Sequence, residues 1–150
     1  MSASKLAMAF ALGALTTLPF ATLAQPDHAQ EARGTVTQVG KAPKRGVPSG
    51  KASIEFLARG KNAFLGRLEM VGGAKVPEHR DPTEEYIHVL EGEGTLYMDD
   101  KPYPVSAGTT IYMPAGAKVR FENGPKPMSA LQVFAGPGPA AKYNGWKVIR

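Results

Sequence analysis

No cysteine occurs anywhere in the 150-residue chain. Disulfides and a lipid-attachment thiol are therefore excluded, and the fold must be stable by packing alone. Long apolar runs are scarce as well. The run from Leu6 to Leu18 is rich in alanine and threonine and falls short of the about 20 predominantly apolar residues that a membrane span needs. It follows a single positive charge at Lys5 and leads into the small-residue exit Ala21-Thr-Leu-Ala24, the layout of a secretory signal peptide. Cleavage after Ala24, a periplasmic or secreted location and no stable membrane insertion are the expectations, with an uncleaved N-terminal anchor as the alternative. A large excess of basic charge is missing too. The chain carries +5, and loss of Lys5 leaves 17 basic against 13 acidic residues. The densest basic part, Lys41, Lys44, Arg45 and Lys51, lies among Gly, Pro and Ser with no aromatic residue for base stacking, so it reads as a solvated linker and nucleic acid is not an expected partner.

Turn-forming residues are abundant. Seventeen Gly and 13 Pro, in a chain 43% hydrophobic and 21% charged, argue for many turns, little helix and an all-β fold. The mature length suits one domain, and no internal repeat points to a fused pair. Residues 1–24 form the signal peptide and 25–50 a polar arm or edge strand, in which only Thr35-Val-Thr-Gln-Val39 alternates. Residues 51–140 form the barrel and 141–150 a tail whose Tyr143 and Trp146 dock on the barrel or on a neighbouring subunit. Ile54-Glu-Phe-Leu57 and Ala63 to Met70 read as a hairpin across Arg59-Gly-Lys-Asn62.

From Gly73 to Gly124, short apolar runs end in turn chemistry every ten residues or so, as successive strands of a sandwich or barrel do. Glu85 to Leu90 is apolar enough to be buried on both faces. Lys118-Val-Arg-Phe-Glu122 alternates strictly, with Val119 and Phe121 on one face. The same stretch carries His79, Asp81 and Glu85 at the spacing of a site lining a barrel.

These residues resemble the cupin family. Gly73, His79, Glu85 and Gly92 match its first motif, G-x5-H-x-H-x3,4-E-x6-G, and Gly108, Pro114, Gly116 and Asn123 match its second, G-x5-P-x-G-x2-H-x3-N. The resemblance implies a single jelly-roll β-barrel, commonly dimeric, with its site inside the barrel mouth. It also implies a divalent metal on the motif histidines and glutamate. Here Asp81 stands at the second histidine and Val119 at the last, so the implied set shrinks to His79, Asp81 and Glu85. One nitrogen and two carboxylates suit manganese, iron or magnesium better than zinc. The same three groups could equally form a metal-free polar cluster.

Strand parity sends His88 away from the pocket, with a one-residue slip that would turn Glu84 and His88 inward together as the alternative, and gives the cavity an apolar wall of Ile87, Val89, Val119 and Phe121. Arg67, Tyr97, Met113 and Gln132 are further candidates to reach a small-molecule ligand, and an inward Arg67 would hold a carboxylate. Three functions are compatible with this pattern. The first is an exported module that binds a small polar or acidic molecule beside a degenerate metal site. The second is a metal-dependent enzyme of the dioxygenase, isomerase or lyase kinds, with Glu85 or His79 as base. The third is an assembly barrel with a vestigial pocket.

Overall fold

The computed structural model describes residues 34–149; the signal-peptide expectation falls outside them. The described chain is built from short antiparallel strands: β1 Lys44–Gly46, β2 Ala52–Arg59, β3 Ala63–Met70, β4 Lys75–His79, β5 Glu85–Glu91, β6 Glu93–Met98, β7 Lys101–Ser106, β8 Thr110–Met113, β9 Val119–Asn123, β10 Met128–Ala135 and β11 Lys147–Ile149. A 3₁₀ helix, Pro139–Gly145, separates the last two. Among the described residues no helix is long and apolar enough to cross a membrane.

The strands form two sheets, one in the order β11-β1-β2-β3-β10-β5-β8 and the other β4-β9-β6-β7. This is the all-β fold that the turn spacing predicts and the jelly-roll barrel that the resemblance implies. The β6–β7 hairpin has the two-residue loop Asp99-Asp100, both with positive φ (49° and 68°), as a loop following the right-handed twist of its strands requires. At Gly92, φ is +88° and an added Cβ would lie 2.6 Å from the Pro127 carbonyl oxygen, so only glycine fits. Asn123 donates from Nδ2 to the carbonyls of Val71 (2.8 Å) and Lys126 (3.0 Å), tying the turn after β3 to the turn after β9.

Two apolar clusters fill the interior. One, including Val89, Leu96, Met113, Val119 and Phe121, lies between the sheets. The other gathers Ile54, Phe64, Phe134 and Tyr143, with Phe56 and Trp146 packed against it. Some of its rings meet edge-on, with centroids 5.4 Å apart for Phe56 and Phe64 and 4.8 Å for Tyr143 and Trp146, an arrangement that aromatic quadrupoles favour. The C-terminal segment is thus part of the core: Tyr143 is buried, and Arg45 Nη1 donates to the Asn144 carbonyl at 2.7 Å.

Two local expectations fail. Thr35–Val39 forms no strand, because it has no apolar surface to cover; the strand of this region is Lys44–Gly46, paired with β11 on one side and β2 on the other. β5 is buried on one face only, since Tyr86, His88 and Leu90 are exposed. Their apolar character covers the outside of the sheet, where Tyr86 stacks with Tyr112 of β8.

Candidate functional site

A cavity of about 470 Å³ opens between the sheets. His79 reaches it through a local irregularity. Val76 and His79 are three residues apart, and simple alternation would turn them to opposite faces. A bulge between them instead sets Val76 opposite Phe121 and His79 opposite Val119, so both line the cavity. Pro77, which has no N–H for the ladder, sits in this bulge and accepts a hydrogen bond from His79 Nδ1 at 2.9 Å. With Nδ1 so engaged, Nε2 is the ring nitrogen turned toward Asp81.

Asp81 lies in the loop between β4 and β5. The Gly116 N–H donates to its carbonyl at 2.8 Å, and the Arg80 guanidinium donates to the Gly116 carbonyl in return. Glu85 opens β5, only 4% exposed. Gln132 of β10 donates from Nε2 to Glu85 Oε1 at 2.5 Å and accepts from the Tyr143 hydroxyl at 2.5 Å, a chain that holds the carboxyl in place. One ligand atom from each of His79, Asp81 and Glu85 falls within 4.8 Å of the others. His79 Nε2 lies 3.6 Å from Asp81 Oδ2, and Lys142 Nζ donates to that same oxygen at 2.8 Å.

The electrostatics follow from burial. The pKa of Glu85 is pushed up to about 7, first by desolvation and further by the neighbouring Asp81, against the lowering effect of Gln132 and Lys142. Burial and the negative charge of Glu85 also raise the Tyr143 phenol, which therefore stays a hydrogen-bond donor at neutral pH.

Met113, Phe121 and Gln132 line the cavity, as do Ile87 and Val119. Val119 is 4% exposed and faces His79, so an isopropyl group occupies the place where the resemblance implies a fourth ligand. Arg67 and Tyr97 do not join the site. Arg67 is paired with Leu131 on the outward parity of β3 and lies 3.8 Å from Glu69; inward neighbours such as Phe64 and Met70 take the other face. Tyr97 lies opposite Arg120, whose guanidinium stacks 3.3 Å over its ring, while Leu96 of the same strand is buried in the core. His88 is outside the pocket and bonded to Thr110. Two residues enter that sequence reasoning did not assign to the site, Lys142 and Tyr143. Their 3₁₀ segment has no period to read; the only signal was the pair of aromatics in the tail.

The donor set fits a divalent cation. A pre-oriented imidazole and two carboxylates can share one ion, with water in the remaining positions.

Fold and site together define a single-barrel protein with a polar cluster in one corner of an otherwise apolar interior. The chain carries a cupin domain: the family model of that description matches residues 66–134. Over 114 residues, 75% of each chain, it is 28% identical to a dimethylsulfoniopropionate lyase, DddW, of Ruegeria pomeroyi. Among solved structures it resembles an RmlC-like cupin from Shewanella frigidimarina (14% identity, 70% of this chain and 93% of that one, TM-score 0.64). A predicted oxalate decarboxylase of Thermotoga maritima is also similar (22% identity, 69% and 99%, TM-score 0.60). These two likenesses are likenesses of fold.

Proposed function

We propose that the protein is a divalent-metal-dependent cupin enzyme of the lyase kind, acting on a small carboxylate-bearing molecule held in the barrel. The observation that carries this reading is the convergence of three donor atoms within 4.8 Å, with the imidazole Nε2 turned toward Asp81 while Nδ1 bonds to Pro77. A purely structural cluster would not need that orientation. A bound cation would act as a Lewis acid on a ligand oxygen.

The chain's own residues do the rest. His79 and Asp81 present ligands from β4 and the following loop, while Gln132 and Tyr143 fix the direction of Glu85. Ile87, Met113, Val119 and Phe121 give the ligand an apolar wall and keep water away. Lys142, at the edge of the cluster, is a cationic group in reach of a ligand carboxylate. The relative that carries a lyase name makes elimination β to a carboxylate the first reaction to test. In dimethylsulfoniopropionate, loss of the proton α to the carboxylate with departure of dimethyl sulfide leaves acrylate.

The decisive experiment measures metal content of the protein as purified and dimethyl sulfide release with added manganese or iron, for wild type and His79→Ala. Stoichiometric metal and sulfide release, both lost in His79→Ala, are expected. Metal without turnover would remove the substrate assignment, and absence of metal after loading would remove the enzyme.

A second reading, metal-free binding of a small acidic molecule, is favoured by the Lys142–Asp81 pair, which balances charge without an ion. Export and self-association belong to the same proposal. Export is supported by the Lys5 to Ala24 pattern, and N-terminal sequencing of the mature protein tests it. Self-association is supported by the exposed Tyr86, Leu90 and Tyr112, and light scattering tests it.

A further inference from the structure

We propose that Lys142 is a built-in competitor for the metal site, its ammonium group occupying the charge position of the divalent cation until an ion displaces it. This inference rests on the metal reading above. It starts from one atom: Asp81 Oδ2 is both the oxygen nearest His79 Nε2, at 3.6 Å, and the acceptor of Lys142 Nζ, at 2.8 Å. A cation bound to the imidazole and to this oxygen at about 2.0–2.2 Å from each would find the ammonium already on one of its ligands. Two positive charges in contact with one carboxylate oxygen repel each other, so the ion and the lysine exclude one another.

The surroundings make Lys142 displaceable without unfolding the segment that carries it. Its backbone belongs to the 3₁₀ helix anchored by buried Tyr143 and by Arg45 on Asn144. Its side chain, by contrast, is 37% exposed, and the ammonium rests 4.7 Å from the centroid of the Phe134 ring. A flexible four-carbon stem with a point charge can swing to solvent while the helix stays seated, as a forked guanidinium held at two points could not. The device also accounts for a carboxylate pair persisting where two imidazoles are missing: the lysine supplies the counter-charge in the metal-free state, and the carboxylates supply the affinity that the missing nitrogens would have given. Its consequence is a threshold, since only an ion that gains more from the three ligands than the ammonium does will enter. Once displaced, the ammonium remains near the site as an anion receptor for the ligand carboxylate.

Manganese titrations of the chelator-stripped full chain, read by the electron paramagnetic resonance of free Mn²⁺, test this without reference to activity. Lys142→Met keeps the aliphatic stem and removes the charge; Lys142→Gln serves as a second neutral variant. Both are expected to bind Mn²⁺ at least ~10-fold more tightly than wild type, and adding His79→Ala to either should abolish the gain. Wild-type binding that depends on His79 but is unchanged or weakened in both neutral variants would overturn the competitor role and leave the metal site standing. No binding in wild type or in either neutral variant would overturn both.

Discussion

Glu85 has a pKa of about 7 in the folded chain against an ordinary value of 4.5, so the folded protein holds this proton more tightly than the unfolded one. The favourable contribution is complete below pH 4.5 and disappears as pH rises through 7. At ~1.4 kcal/mol per pKa unit, metal-free wild type should lose about 3 kcal/mol of stability between pH 4.5 and pH 8 that Glu85→Gln does not lose. Urea midpoints of the chelator-treated proteins across that range measure it, and parallel profiles for the two would contradict the assignment. Among single residues, His79, Asp81 and Glu85 were legible because motif spacing ties His79 and Glu85 to strand ends and Asp81 to the loop between them, and Val119 because strict alternation on β9 pins its face to that of Phe121. Arg67 and Tyr97 were not. Parity along one strand says which residues share a side but not which side is the core, and an arginine or tyrosine is stable on either. Lys142 was invisible, since its place beside Asp81 depends on how a segment 61 positions later folds back.

Single elements hold the site by two different devices, one of backbone and one of packing. Gly92 and Gly108 both have positive φ, +88° and +86°, but only Gly92 also faces backbone at 2.6 Å, while nothing lies within 4 Å of a Cβ at Gly108. Gly108→Ala should therefore cost only the left-handed strain, about 1–2 kcal/mol. Gly92→Ala should cost clearly more, because β5 and β6 must move away from Pro127; equal urea midpoints for the two variants would refute the contrast. In the 3₁₀ segment, Tyr143 combines a core ring with the hydroxyl that directs Gln132. Tyr143→Ala is expected to lose about 3–5 kcal/mol by cavity formation, whereas Tyr143→Phe should lose about 1 kcal/mol for one hydrogen bond, a split that chemical denaturation resolves. Strand existence was readable because turn residues punctuate the chain so regularly. The β4 bulge that brings His79 inward was not readable, because a bulge is a property of two strands in register and only one of them is visible at a time. The apolar run of β5 misled for a related reason: it clothes the exterior with Tyr86 and Leu90, and composition alone does not separate a second buried face from a greasy outer one.

At the scale of the whole molecule, the candidate ligands belong to different sheets. His79 ends β4 in the four-stranded sheet, Glu85 begins β5 in the seven-stranded one, and Asp81 sits on the loop between them. A cation held by all three would cross-link the two halves of the barrel, and unfolding would have to break that link as it separates the sheets. Binding to the folded state alone then adds stability by mass action, about 2.7 kcal/mol at roughly 100 times the dissociation constant. For a domain of this size that raises Tm by on the order of 10 °C. With no cysteine in the chain, no disulfide shares in holding the sheets together, and the rise should be the same with and without reductant. His79→Ala should remove the rise while leaving the metal-free Tm nearly unchanged, because the imidazole lies at the cavity wall outside both apolar clusters. Thermal melts with manganese and with chelator, on wild type and this variant, carry the comparison. An equal rise in both proteins would place the ion elsewhere on the surface and separate metal binding from the barrel site.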